Sequence, residues 1–302
     1  MLLYILRRLL SIIPVLFGIS LVLFFLLRAL PGDPAQVIAG ELATQQEVEL
    51  IRQQLGLDEP VYIQYAKFLN RLVHFDLGKS TRTQYPVTQE IAPRLLNTVI
   101  LAVAATFLAC LFGIPAGIIA AVKPYTTLDM VVTALALFGM SMPAFWLGLM
   151  LIIIFSVKLK LLPVGGSGGF VYLILPTITL AAALVAVVAR NTRSAMMEVL
   201  AQDYITTARS KGVREKMVIL RHGLKNSFIP VITVIGLQFG TMLGGTVLTE
   251  TVFAWPGLGR LLISSILARD YPVIQGAILI FALLFVLTNI VVDVLYAYFD
   301  PK

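Results

Sequence analysis

The sequence predicts an all-α integral membrane protein with six transmembrane helices and both termini in the cytoplasm. Three observations carry that expectation. Of 302 residues, 59% are hydrophobic and 13% charged, with a mean hydropathy of +0.92, against about 25% charged in soluble domains. The apolar residues gather in runs close to the ~20 that cross a ~30 Å hydrocarbon core as helix. The Lys and Arg residues flanking those runs divide twelve to four between the two sides, and the richer side faces the cytoplasm.

A basic lead (Arg7, Arg8) opens onto the first run, Leu9–Leu27. The run is longer than the apolar stretch of a secretory signal and no small-x-small site closes it, so a retained span is expected. Pro31–Arg94 is the one sizeable soluble-looking region, with eight acids and six Lys/Arg. A capping box from Thr44 to Glu47 starts a helix over Thr44–Leu55, and Tyr62–Val73 reads as a second. A segment of about 64 residues is large enough only for a small cap packed on the spans.

Five further runs follow: Asn97–Ala121, Met130–Val157, Val171–Ala189, Phe228–Leu248 and Val273–Val292. The breaks between them are Val122–Asp129, Lys158–Phe170, Arg190–Pro230 and Thr249–Pro272. The expected divisions are a first span over residues 1–30, an extracytoplasmic cap over 31–94, and a five-helix core over 95–302 with a cytoplasmic loop over 190–230.

Ionisable groups are nearly absent within the spans; Arg28 and Asp293 sit at span ends, where a charge can reach the interface. Ion-coupled carriers usually need buried carboxylates or histidines as relays, so a self-powered secondary transporter is the less favoured class. Gly236, Gly240 and Gly244 line one face of the fifth span. Such spacing suits close helix packing, a seam to a partner, or a conduit wall. Gly113 and Gly117 repeat the pattern in the second span. Pro115 and Pro143 should kink their helices, and the methionines of Gly139-Met-Ser-Met-Pro-Ala-Phe-Trp146 suit either a lining that changes shape or plain packing.

The Arg190–Pro230 loop carries eight Lys/Arg against three acids. Met196, Val199/Leu200, Tyr204 and Ala208 fall near one helical face, and Val213, Met217, Leu220 and Leu224 near another. Gly212 between them fits a tight turn. The reading is of two short amphipathic helices forming a cytoplasmic knob, against the alternative of a topogenic loop lying on anionic lipid. Gly78-Lys79-Ser80 lacks the earlier glycine of a phosphate loop, Gly165-Gly-Ser-Gly-Gly169 reads as a flexible external linker, and His222 as a surface residue. One cysteine, Cys110, excludes a disulfide framework, and the spacing patterns of a hydrolase or a metalloprotease are missing.

Thr206-Thr-Ala-Arg-Ser-Lys-Gly212 resembles the E-A-A-x-x-x-G element of ABC importer permeases, with Thr-Thr-Ala in place of Glu-Ala-Ala. The continuation His222-Gly-Leu-Lys225 lacks the usual proline, as is typical of the dipeptide, oligopeptide and nickel branch. Leu30-Pro-Gly-Asp-Pro34, Leu55-Gly-Leu-Asp-Glu-Pro60, Asp76-Leu-Gly78, Trp255-Pro-Gly-Leu-Gly259, Arg269-Asp-Tyr-Pro272 and Tyr4–Leu9 fit the same branch. Glutathione permeases look close too, through Gly236-Leu-Gln-Phe-Gly240 and Asp293-Val-Leu-Tyr296.

The resemblance implies a type I ABC importer permease fold and a membrane subunit for di- or oligopeptides, with glutathione or nickel import as alternatives. It implies a second, similar permease, two ATPase subunits that hold ATP and magnesium, and an extracytoplasmic solute-binding protein. This chain then needs no cofactor and no nucleic acid, and resides in the cytoplasmic membrane of a bacterium or archaeon. Tyr204, Thr206, Thr207, Ala208, Arg209, Lys211, Gly212 and Val213 are expected to couple to the ATPase. Met140, Ser141, Met142, Pro143, Gln238, Gly240 and Gly244 are expected to line the path.

Overall fold

The computed structural model describes residues 7–8, 10–29, 34–39 and 43–299, and within them the regular elements are helical, with one isolated bridge between Lys79 and Pro86. Most of the Tyr4–Leu9 motif, Leu30–Asp33 and Lys302 lie outside the described residues. Helix α1 (Ile12–Ala29) is followed by α2 (Pro34–Ala39), α3 (Gln45–Leu55) and α4 (Val61–Val73). The Thr44–Glu47 capping box forms as expected, and Gly56 closes α3 in the left-handed conformation. Phe68 of α4 packs with Leu23 and Phe24 of α1 and Leu279 further on, which seats this helix on the apolar body.

Helix α5 (Val87–Val122) starts ten residues before the expected span and continues unbroken through Pro115. Its 36 residues make a rod of about 54 Å, well beyond a ~30 Å core. Helices α6 (Thr127–Ser141) and α7 (Ala144–Lys158) replace the single kinked span expected over Met130–Val157. They meet at 99°. Met142 (φ −78°, ψ 126°) is extended because the proline ring disfavours helical backbone at the residue before it, and Pro143 (φ −63°, ψ 129°) is extended as well.

Helix α8 (Phe170–Leu200) is the hub, touching α5 most extensively and then the later long helix, α6 and α7. Helix α9 (Asp203–Ser210) follows after two residues. Helix α10 (Glu215–Val252) is one rod that includes a π-helical stretch, Val218–Leu224. Helices α11 (Leu258–Leu267) and α12 (Tyr271–Phe299) complete the chain. The expected 190–230 loop is therefore largely helix, formed by the end of α8, α9, and the start of α10. The second short helix expected after Gly212 is the first part of α10. The Gly165–Gly169 stretch is also no free linker, since the Gly166 N–H donates to the Phe253 carbonyl at 2.8 Å.

Among the described residues, α5, α8, α10 and α12 are each long and apolar enough to cross a membrane, and the bent α6–α7 pair makes a fifth candidate if it is one span. The apolar part of α1, Ile12–Leu26, is shorter.

The α5–α8 contact depends on missing side chains. A Cβ on Gly113 would stand 2.9 Å from Val188 Cβ, and one on Gly117 would stand 2.5 Å from the Ala189 carbonyl oxygen. Of the fifth-span glycines, Gly236 meets Val292 and Gly240 meets Phe285, whereas Gly244 has open space. Substituting Gly117→Val should therefore collapse the yield of monodisperse detergent-extracted protein several-fold, and Gly117→Ala should cost about 1–3 kcal/mol through overpacking. Gly244→Ala should leave the size-exclusion profile and melting midpoint of the wild type.

Candidate coupling site and translocation surface

The helices gather their loops at two ends. At the end opposite α9, the Glu250 carboxylate is fully buried and accepts from Thr98 Oγ1 at 2.6 Å and from the Arg260 N–H at 3.0 Å. Thr98 Oγ1 in turn accepts from the Leu258 N–H at 2.8 Å. A side chain from the end of α10 and one from α5 thus cap the first turn of α11, whose free N–H groups favour an anion. The glycines of Trp255-Pro-Gly-Leu-Gly259 follow from this: a Cβ on Gly257 would lie 2.3 Å from the Glu250 carboxylate. Trp255 Nε1 donates to the Asn97 carbonyl at 3.1 Å, and Asn97 Nδ2 to the Pro256 carbonyl at 2.9 Å. Nearby, buried Asp270 accepts from Ser80 Oγ at 2.5 Å and from the Thr81 N–H at 3.1 Å. Both lie in the break expected over Thr249–Pro272, where neither role was anticipated.

At the other end, α9 presents a short polar helix. Tyr204, Thr206, Thr207, Arg209, Lys211 and Gly212 are exposed, with Ala208 and Val213 half-buried. The turn closes as a Schellman motif: the Val213 N–H donates to the Ala208 carbonyl at 3.3 Å and the Gly212 N–H to the Arg209 carbonyl at 2.9 Å. Gly212 takes φ +76°, the left-handed conformation that glycine adopts without a Cβ penalty. Across the turn, Arg209 Nη2 donates to Glu215 Oε1 at 2.7 Å, and this carboxylate raises the Arg209 pKa. Tyr204 Oη accepts from Asn226 Nδ2 at 2.8 Å, tying α9 to α10. His222 is half-buried, and its carbonyl accepts from Asn226 Nδ2 at 3.0 Å.

The buried anchors differ from the expected faces. Met196 is buried and belongs to the expected face, but Ile205 and Val218, which do not, are fully buried as well, whereas Tyr204, Met217 and Leu220 are exposed. Two backbone events explain the shift. The helix restarts after Gln202, which resets the phase between Leu200 and Tyr204. The π stretch bonds i to i+5, so a 3.6-residue period carried from Val213 to Leu224 loses register.

The expected lining residues fall in two places. Met140, Ser141 and Pro143 are exposed and Met142 half-buried at the α6–α7 corner. Gln238 is half-buried, Gly240 buried and Gly244 exposed on α10. Gly240 packs against Phe285, which gives it a packing role. No group of three or more His, Cys, Asp or Glu that could hold a metal occurs among the described residues.

Comparison with known proteins bears on what this arrangement serves. Residues 113–302 match the family described as binding-protein-dependent transport system inner membrane component, and residues 1–102 match its N-terminal companion. The chain belongs to this family. It is a permease component of an ABC importer, in a family of multi-pass inner membrane proteins. The glutathione transport system permease protein GsiC of Escherichia coli strain UTI89 is 50% identical over 301 residues, covering 100% of this chain and 98% of that protein. The GsiC protein of Shigella flexneri serotype 5b gives the same values. Among solved structures, a chain of the inward-facing MetNI methionine ABC transporter superposes with a TM-score of 0.62 at 17% identity, covering 70% of this chain and 97% of that one. A crystal structure of an amino acid ABC transporter with histidines gives 0.57 at 15% identity, with 70% and 94% covered. At such identities the likeness is one of fold.

Ile205 is the anchor of α9. Ile205→Ala should cost roughly 2–5 kcal/mol of local packing and raise the rate of tryptic cleavage after Arg209 and Lys211 several-fold. Thr206→Ala, at an exposed site, should leave that rate unchanged.

Proposed function

We propose that this chain forms half of the membrane path of an ATP-driven importer of short peptides, with glutathione the cargo to test first. The full-length 50% identity to a glutathione permease supports that choice of cargo. In this reading six spans cross the membrane, namely α1, α5, the broken α6–α7 pair, α8, α10 and α12, with both termini cytoplasmic. Residues 1–30 form the first span, 31–94 the extracytoplasmic cap, and 95–302 the core.

A second, homologous permease completes the path, two ATPase subunits below hold ATP and magnesium, and a solute-binding protein delivers cargo outside. Tyr204, Thr206–Arg209 and Lys211–Val213 seat in the ATPase, and the outer end around Glu250 and Asp270 receives the binding protein. The observation that carries the coupling assignment is the α9 knob: a short exposed helix, closed by a glycine turn and bonded to the ends of two long helices, α8 and α10. A rigid knob of that kind passes displacement into both rods when the ATPase pair closes. The mobile methionines at the α6–α7 corner, with Gln238 and Gly244, line the route. A neutral lining holds zwitterionic cargo weakly and leaves selectivity to the binding protein.

Reconstituted with its partners in vesicles loaded with ATP, the wild type should take up tritiated glutathione only when the binding protein is present outside. Uptake driven by an ion gradient without ATP overturns the reading. Gly212→Pro removes the N–H that bonds Arg209 and cannot adopt positive φ. It should lower binding-protein-stimulated ATP hydrolysis to the basal rate and uptake at least tenfold, with membrane insertion intact.

A further inference from the structure

We propose that Asp129 and Arg193 are positioning residues for transport: their paired side chains carry movement of the α9 knob into the broken α6–α7 element. The inference rests on the coupling reading above. The knob is continuous with α8 and bonded to α10, so those rods follow it directly. Helix α6 is reached differently.

Its first turn meets α8 through a fork in which Arg193 Nε donates to Asp129 Oδ1 at 2.6 Å and Arg193 Nη2 to Asp129 Oδ2 at 2.7 Å. Asp129 is buried and further fixed by the Tyr125 N–H at 2.9 Å and Thr133 Oγ1 at 3.3 Å. Arg193 lies seven residues before Leu200, the last of α8, about 10 Å along the axis from the end of that helix. On the α5 side, a Cβ on Gly117 would stand 3.0 Å from the Arg193 nitrogen, so α5 braces α8 at the level of the fork.

Further along, α6 meets α8 again where Gly139 faces Ala182 and Ala186. Between the two contacts lies a cavity of about 280 Å³ lined by Thr133, Ala136, Met140, Arg190 and Arg193. The upper contact is smooth and apolar, so helices can slide there. A two-bond guanidinium–carboxylate fork is directional and resists shear both ways. Displacement of α8 therefore enters α6 at Asp129 and reaches the corner at Met140–Pro143.

The test uses the importer assembled with its partners in ATP-loaded vesicles, with tritiated glutathione as cargo and ATP hydrolysis read in the same sample. The double variant Asp129→Leu/Arg193→Met removes the fork without stranding a buried charge. It should keep the wild-type melting midpoint and binding-protein-stimulated ATP hydrolysis while glutathione moved per ATP falls about tenfold. The swap Asp129→Arg/Arg193→Asp should recover at least half of that ratio. A wild-type ratio in the apolar double variant overturns the proposal, as does an equal loss of hydrolysis and transport with folding retained. If the double variant does not fold, Arg193→Lys decides, since it keeps the charge and loses the fork; a wild-type ratio there also overturns it. Normal coupling in Gly212→Pro defeats the coupling reading itself. An uncoupled Gly212→Pro beside fork variants with a wild-type ratio defeats only the role given to the fork.

Discussion

The architecture depends on how closely α5 can approach α8. Lipid tails solvate leucine as well as another helix does, so helices in a membrane are held by contact rather than by expulsion of water. Gly113 and Gly117 remove the atoms that would keep the two backbones apart. The same pair of helices then builds the core towards the Glu250 end. Leu101 and Ala105 of α5 pack with Leu180 and Ala181 of α8 and Trp255, and further along Ala109 packs with Leu184 and Val188. Because α8 also touches α6, α7 and α10, this one contact sets the frame to which the others are fitted.

The two ends of that frame are built with different chemistry. Around Glu250 and Asp270, buried carboxylates collect backbone and hydroxyl donors from segments more than 150 residues apart in the chain. An unmade hydrogen bond in such a place costs more than a made one contributes, so this end resists partial rearrangement. At the α9 end the polar surface is exposed. The Arg209–Glu215 pair lies in solvent, where an ion pair contributes at most about 1 kcal/mol. One end is locked and the other presents an exposed polar surface.

Much of the fold was legible because bilayer thickness and backbone hydrogen bonding leave little choice. The apolar runs at Asn97–Ala121, Val171–Ala189, Phe228–Leu248 and Val273–Val292 each became part of a long helix. The Thr44–Glu47 cap and the positive φ of Gly212 were local and came out as read. What failed was anything that assumed a constant helical phase. Counting at a constant period grouped Tyr204 with Met196 and Leu220 with Val213, but across the restart after Gln202 and the π turn the buried positions are Ile205 and Val218. Pro143 was expected to bend a helix and instead separates two at 99°. A proline limits its own backbone and its neighbour's, but the size of the bend is decided by what the two halves pack against.

By itself the sequence determined the membrane class, the helical build, the family motifs and the position of the Gly212 turn, since each rests on composition or on a few adjacent residues. Only the tertiary structure decided which polar groups do long-range work. Glu250, Asp270, Asp129 and Arg193 are unremarkable in one dimension: each is a charge near the end of an apolar run. Burial gives the three carboxylates meaning, because a charge taken out of water must find its partners, half-buried Arg193 among them, and those partners come from segments the sequence does not place side by side.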